Sequence, residues 1–149
     1  MRVDLPDLAA SADLGQRIAC ALRPGDVVAL SGELGAGKTT LARAILAALG
    51  HAGEVTSPSF SIVELYPSPP LPLAVVHADF YRLSSPSELG EIGLDELRDG
   101  AALIAEWPEN VGGFEAEPHC LSIRLETAGN GRAAIVRPGA DWLGRGGWT

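Results

Sequence analysis

The run from Gly32 to Thr39 has the residue types and the spacing that bind a phosphate group. It reads Gly-Glu-Leu-Gly-Ala-Gly-Lys-Thr, so that four residues separate Gly32 from the Gly37-Lys38-Thr39 triplet. Glycines let backbone N–H groups turn towards a phosphate, while the lysine reaches the β- and γ-phosphates and the threonine hydroxyl reaches Mg²⁺. We therefore predict a P-loop nucleotide site, contacted by Gly35, Ala36, Gly37, Lys38, Thr39 and Thr40.

Lys38 is also the only lysine of the chain, since the other ten of its eleven basic residues are arginines. A compact ammonium on a flexible stem can enter a crowded nest of backbone amides, where a planar guanidinium fits badly. This exception to the arginine bias favours a phosphate-binding role for Lys38.

Two carboxylates stand where a P-loop site needs them. Asp79 follows the apolar run 73–78, and Glu106 follows the apolar run 101–105. In sheets of this kind, ligands bind at the carboxyl ends of the strands, where acids hold the metal or orient the attacking water. We expect Asp79 and Glu106, with Lys38, to be catalytic, with the Thr39 hydroxyl and one of the two acids holding the metal.

The hydroxyl-rich segment Thr56-Ser57-Pro58-Ser59 is a second candidate. In nucleotide switches, loops of this kind reach the metal or the γ-phosphate. Ser57 and Ser59 are therefore candidate nucleotide contacts, although an ordinary surface loop of serine and proline is an equal alternative.

The apolar pattern alternates strands and helices in the first half of the chain and is rich in strands in the second half. The run 27–30 predicts a buried strand before the P-loop, and residues 121–126 and 132–137 predict a hairpin. Leu14, Ile18 and Leu22 predict an earlier amphipathic helix with Ser11 as its N-cap. We predict an α/β, three-layer, P-loop NTPase-like fold with a mixed central sheet. Residues 1–138 would form a single P-loop ATPase domain, and residues 139–149 a flexible C-terminal tail.

Composition excludes several classes of function. A net charge of −8 disfavours binding of nucleic acid by this chain alone, because an acidic protein does not attract a phosphate backbone. No apolar run is long enough for a membrane span and the N-terminus does not resemble a signal peptide, so we expect a cytoplasmic protein without membrane contact. Cys20 and Cys120 have no spacing that predicts a zinc site. Because no lysine follows Lys38, the Asn-Lys-x-Asp clamp for guanine is absent, and ATP with Mg²⁺ is the expected ligand.

Four segments in order resemble the TsaE family: 32–40 (GELGAGKTT), 55–60 (VTSPSF), 77–83 (HADFYRL) and 106–108 (EWP). The resemblance spans about residues 5–136. It implies an ATP-hydrolysing subunit that works with TsaB and TsaD in transferring threonylcarbamoyl to the adenosine beside the tRNA anticodon. It implies that tRNA is reached only through those partners.

The same resemblance assigns roles to residues. Lys38 and Thr39 would contact phosphate and Mg²⁺, Glu106 would be the second metal-side group, and Asp79 would be required for hydrolysis. Ser57 and Ser59 match a switch-like loop, in which Ser59 replaces the usual threonine and keeps its hydroxyl. The pair Gly131-Arg132 matches a turn near the nucleotide. Two alternatives to this function are an ATP-sensing module without significant turnover and a small-molecule phosphotransferase.

Overall fold

The computed structural model describes residues 1–148. Within them, seven strands form one sheet: β1 (Arg2–Leu5), β2 (Val27–Ser31), β3 (Val63–Tyr66), β4 (Val75–Asp79), β5 (Ala102–Glu106), β6 (Cys120–Ala128) and β7 (Gly131–Pro138). The α-helices are α1 (Leu8–Ala21), α2 (Lys38–Ala48), α3 (Ser87–Ile92) and α4 (Leu94–Leu97), and 3₁₀ turns cover Pro108–Val111 and Ala140–Trp142.

The sheet is mixed, in the order β1-β7-β6-β2-β5-β4-β3. The central strand β2 pairs in parallel with β5 and β6, and β5 pairs in parallel with β4. The outer pairings, β1 with β7, β6 with β7 and β3 with β4, are antiparallel. The predicted fold class is therefore confirmed. The parallel arrangement brings the carboxyl ends of β2, β4 and β5 to one edge, which is where the P-loop leaves β2.

Helices cover both faces of the sheet. On one face, α1 and α2 bury Leu14, Ile18, Leu41 and Ile45 against the sheet, and a second core with Leu94 and Phe80 lies on the opposite face. No helix within residues 1–148 is both long and apolar enough to cross a membrane.

The N-terminal segment differs from its prediction at two points. Residues 2–5 form the edge strand β1, which the sequence analysis did not predict. Helix α1 is capped by Asp7, whose carboxylate accepts a hydrogen bond from the Ala10 N–H at 2.9 Å, so the expectation that Ser11 is the N-cap is wrong. Asp7 satisfies a free N–H of the first turn, and Ser11 lies inside the helix.

Helices α1 and α2 approach closely at Gly15. A Cβ on Gly15 would lie 2.6 Å from the Ala44 Cβ and 2.8 Å from the Ala44 carbonyl carbon. We expect Gly15→Ala to lower the free energy of unfolding by about 1–3 kcal/mol, because the helices must separate to admit the methyl group. Gly90→Ala is the matched control, since its Cβ would meet open space within helix α3. Urea unfolding of both variants tests this, and equal stabilities would contradict it.

The segment after Pro138 differs from the predicted flexible tail. Trp142 and Trp148 are buried and pack edge-to-face with ring centroids 5.6 Å apart. Arg145 donates to both carboxylate oxygens of buried Asp26, at 2.6 and 3.2 Å. Indole burial and this ion pair anchor residues 140–148, which corrects the expectation for them, whereas Thr149 lies outside the described residues. The assignment of residues 1–138 to one domain stays a prediction.

Candidate functional site

The loop between β2 and α2 has the backbone geometry of a phosphate nest. Gly37 adopts a left-handed conformation (φ +103°) immediately before the first residue of α2, which turns the chain into the helix. Gly32 (φ +137°) passes so close to β6 that a Cβ would lie 2.5 Å from the Leu125 carbonyl oxygen. The positive end of α2 therefore faces the concave side of the loop, a preferred location for an anion.

Lys38 lies buried beneath this loop. Its Nζ donates to the carbonyl oxygens of Gly32 at 2.6 Å and Glu33 at 2.9 Å, and lies 4.2 Å from the ring centroid of Trp107. Burial lowers the pKa of the Lys38 ammonium from its usual value, because lost hydration outweighs the attraction of Glu106, Glu109 and Asp79. The side chain is thus held at the loop by contacts that phosphate oxygens can replace.

Thr39 and Glu106 meet across the site. The Thr39 hydroxyl donates to Glu106 Oε1 at 2.9 Å, and the other oxygen of Glu106 lies 2.6 Å from His77 Nε2. Thr39 is the second residue of α2, and Glu106 is the last residue of β5. A hydroxyl and a carboxylate brought together beside a phosphate nest are oxygen ligands of the kind that Mg²⁺ prefers.

Asp79 joins the site to the hydroxyl-rich loop. Its Oδ2 accepts hydrogen bonds from the Ser57 hydroxyl at 3.2 Å and the Ser59 hydroxyl at 3.1 Å, and its Oδ1 accepts from the Tyr81 N–H at 2.9 Å. Because β4 and β5 run parallel with Asp79 opposite Glu106, both acids lie at the same edge of the sheet.

These groups surround a cavity of about 250 Å³ beside the P-loop. It is lined by Lys38, Thr39, Thr40, Ser57, Ser59, Asp79 and Glu106, together with Gly35 and Gly37. The lining thus combines the Lys38 ammonium and the N-terminus of α2 with the carboxylates of Asp79 and Glu106. This distribution suits a phosphate chain with a divalent cation between it and the acids.

A second cavity, of about 270 Å³, lies on the other side of the loop. Its walls include Leu5 and Leu8 at the start of the chain and Gly131 and Arg132 at the β6–β7 turn, and it shares Gly35 with the first cavity. Arg132 donates to the Gly35 carbonyl oxygen at 3.0 Å. Ala36 is buried in the wall of this second cavity.

The structure therefore brings the predicted site residues into two adjoining cavities. Sequence analysis missed three contributors. His77 is a buried histidine whose partner is Glu106. Trp107, with an unusual positive φ of +57°, packs over Lys38, and Tyr81 packs on Trp107 with centroids 5.0 Å apart. Two signals were available for all three residues, because each lies within two residues of a predicted acid and inside the motif segments 77–83 and 106–108.

The side chains at this site offer few ligands for a metal ion. Among residues 1–148 no group of three or more His, Cys, Asp or Glu side chains could hold a metal ion. Magnesium commonly keeps several waters and is bound by one or two carboxylates plus substrate phosphates. Thr39 and Glu106 beside a phosphate nest fit that coordination.

Comparison with known proteins is consistent across sequence and structure. The family model for "Threonylcarbamoyl adenosine biosynthesis protein TsaE" matches residues 5–134. The protein named tRNA threonylcarbamoyladenosine biosynthesis protein TsaE in Streptomyces coelicolor is 48% identical over 102 residues, which cover 65% of this chain and 66% of the relative. The protein of the same name in Mycobacterium tuberculosis H37Rv is 38% identical, covering 89% of this chain and 82% of its own. The crystal structure of Bacillus subtilis YdiB superimposes with a TM-score of 0.74 at 26% identity, over 95% of this chain and 88% of YdiB.

Proposed function

Since the chain belongs to the TsaE family and acts in tRNA threonylcarbamoyladenosine biosynthesis, we propose that it is the subunit of that system that binds and hydrolyses ATP. Its partners would be TsaB and TsaD, with which it supports transfer of threonylcarbamoyl to the adenosine beside the tRNA anticodon. The observation that carries the proposal is the hydrogen bond from Thr39 to Glu106 at the mouth of the phosphate nest, next to Asp79.

The phosphates of ATP would lie in the first cavity. The N–H groups of Gly35, Gly37 and the first turn of α2 donate to them, and the Lys38 ammonium exchanges its loop carbonyls for phosphate oxygens. The nucleoside would extend into the second cavity, which combines apolar side chains with Arg132 and the backbone at Gly131.

Thr39 and Glu106 would hold Mg²⁺ against the phosphates. The ion, when bound, neutralises charge on the phosphate oxygens. Asp79 would accept a hydrogen bond from a water near the phosphate, and the hydrogen bonds from Ser57 and Ser59 to its carboxylate support this role. Glu106 would therefore bind the metal, and Asp79 would orient the water.

The acidic charge supports an indirect route to tRNA. A chain of net charge −8 has little positive electrostatic potential to attract a phosphate backbone. Its bound nucleotide would therefore influence tRNA through protein partners in the cytoplasm. Two exposed apolar side chains offer a surface for them. Leu34, which lines the first cavity, is 70% exposed, and Phe60, which follows Ser59 in the chain, is 83% exposed. The Arg82 guanidinium lies 4.3 Å from the Phe60 ring centroid.

Phosphate release from ATP, with and without TsaB and TsaD, tests the proposed function. We expect Mg²⁺-dependent release that rises when both partners are present. When tRNA and threonylcarbamoyl adenylate are added as acceptor and donor, we expect threonylcarbamoyl to enter tRNA only in the mixture that holds this chain, both partners and ATP. Binding of ATP without release in any mixture would favour a sensing module. Transfer of labelled γ-phosphate to a small acceptor would favour a phosphotransferase.

Affinity for the TsaB and TsaD pair is expected to depend on the nucleotide. The loop 56–60 is tied to Asp79 through Ser57 and Ser59, so phosphate and metal beside Asp79 would order it and change the surface that Phe60 presents. Binding should differ among a non-hydrolysable ATP analogue, ADP and no nucleotide. Phe60→Ala should weaken the analogue-bound complex about tenfold, as loss of an interface anchor does.

Leu65→Ala is the control for that measurement. Leu65 is also exposed, at 56%, but lies on strand β3 outside the loop. Equal partner affinity in all three nucleotide states, or equal effects of the two variants, would argue against the loop as the nucleotide-dependent surface. Tight binding of tRNA to this chain alone at physiological salt would contradict the indirect route.

A further inference from the structure

His77 lies in the interior of the sheet, directly behind Glu106, the acid that we propose binds the metal. Strands β4 and β5 pair in parallel with His77 opposite Ile104 and Asp79 opposite Glu106. His77 and Glu106 are therefore diagonal neighbours on one face of the sheet, which lets side chains of this length meet. The His77 side chain is 0% exposed and that of Glu106 is 3% exposed.

The contact between them is short and specific. His77 Nε2 lies 2.6 Å from Glu106 Oε2, while Glu106 Oε1 accepts from the Thr39 hydroxyl. An ionised carboxylate only accepts hydrogen bonds, so the ring donates from Nε2. His77 Nδ1 is buried and has no hydrogen-bond partner among residues 1–148.

We infer that His77 is a positioning residue, which orients the Glu106 carboxylate so that one of its oxygens faces Thr39 and the bound Mg²⁺. The terminal torsion of a glutamate is broad, and nothing in its own chain fixes the plane of the carboxylate. A hydrogen bond to Oε2 fixes that plane, and Oε1, which accepts from the Thr39 hydroxyl, keeps a second lone pair for a metal ion. Partners behind a metal ligand act in this way, and their loss typically lowers metal affinity or activity 10- to 100-fold.

This inference rests on the proposed function, because it assumes that Glu106 binds Mg²⁺ beside a nucleotide. Two substitutions of similar size separate orientation from packing. His77→Gln keeps an N–H that can donate to Glu106, whereas His77→Met fills the space without a donor. Val75→Ala is the control for a core defect, since Val75 is buried on the same strand and has no polar group.

The probe is Mn²⁺, whose binding is followed by electron paramagnetic resonance in the presence of a non-hydrolysable ATP analogue. We expect His77→Met to raise the Mn²⁺ dissociation constant about tenfold or more, with His77→Gln within about threefold of the parent. Binding of the analogue in EDTA should stay within about twofold for both. In the metal-free parent, ¹⁵N NMR should show the His77 proton on Nε2.

Several results would overturn the inference. One is a Mn²⁺ dissociation constant in His77→Met no higher than in Val75→Ala, and another is a defect in His77→Gln as large as in His77→Met. An Nε2 that carries no proton would also overturn it. These results concern His77 alone when the parent binds the analogue and Mn²⁺. If the parent binds neither, the proposed function fails and this inference fails with it.

Discussion

Replacing Lys38 with methionine is expected to weaken ATP binding about 10- to 150-fold and to remove hydrolysis. The ammonium is the only lysine charge of the chain, and a charge-assisted contact to phosphate contributes about 1.5–3 kcal/mol. Methionine keeps an apolar stem of similar length and removes the ammonium, so the loss comprises the charge, its hydrogen bonds and its contact with the Trp107 ring. The measurement is titration with a fluorescent ATP analogue and phosphate release at saturating nucleotide.

Two further variants define what that loss means. Lys38→Arg keeps the charge but brings a planar group into the nest, and we expect it to bind ATP poorly as well. Arg137→Ala removes one exposed positive charge from strand β7 and should leave binding unchanged. Circular dichroism and urea unfolding should show that all three variants fold. A folded Lys38→Met that binds and hydrolyses ATP like the parent would contradict the P-loop assignment.

The parts of the site that follow from local chain geometry were predictable from the sequence. The P-loop is a contiguous motif between a strand and a helix. Asp79 and Glu106 could be found because apolar runs end on them and parallel strands present those ends at one edge. The hydroxyls of Ser57 and Ser59 were recognised as candidates, and the structure adds that they share Asp79 Oδ2 as an acceptor.

Other features depend on pairings that lie far apart in the chain. His77 contacts Glu106 only because of the register between β4 and β5. The sequence alone does not show this register, and it therefore predicts an ordinary core histidine. Strand β1 is four residues long and is held by pairing with β7, more than a hundred residues away. The C-terminal segment is rich in glycine, so its composition predicts a frayed end. Burial of two tryptophans and the Arg145–Asp26 pair outweigh that preference.

The two acids of the site have different neighbours, which predicts different defects when each is neutralised. Among residues 1–148, Glu106 forms side-chain hydrogen bonds with Thr39 and His77 and with no residue of the hydroxyl-rich loop, whereas Asp79 accepts from Ser57, Ser59 and the Tyr81 N–H. A metal ligand controls how much Mg²⁺ is needed. A group that positions water controls turnover after ATP has bound.

Glu106→Gln is therefore expected to raise the Mg²⁺ concentration for half-maximal hydrolysis about tenfold or more, with a smaller change in the maximal rate. Asp79→Asn is expected to lower the maximal rate about 10²-fold or more, the effect typical of a lost general base, while ATP affinity stays within about threefold. Glu109→Gln removes an exposed negative charge near Lys38 and should change neither quantity strongly. Magnesium titrations of hydrolysis, with ATP affinity measured separately, test all three variants. Superimposable curves for Glu106→Gln and Asp79→Asn would mean that the two acids act as one unit, because neither a metal-specific nor a turnover-specific defect would remain.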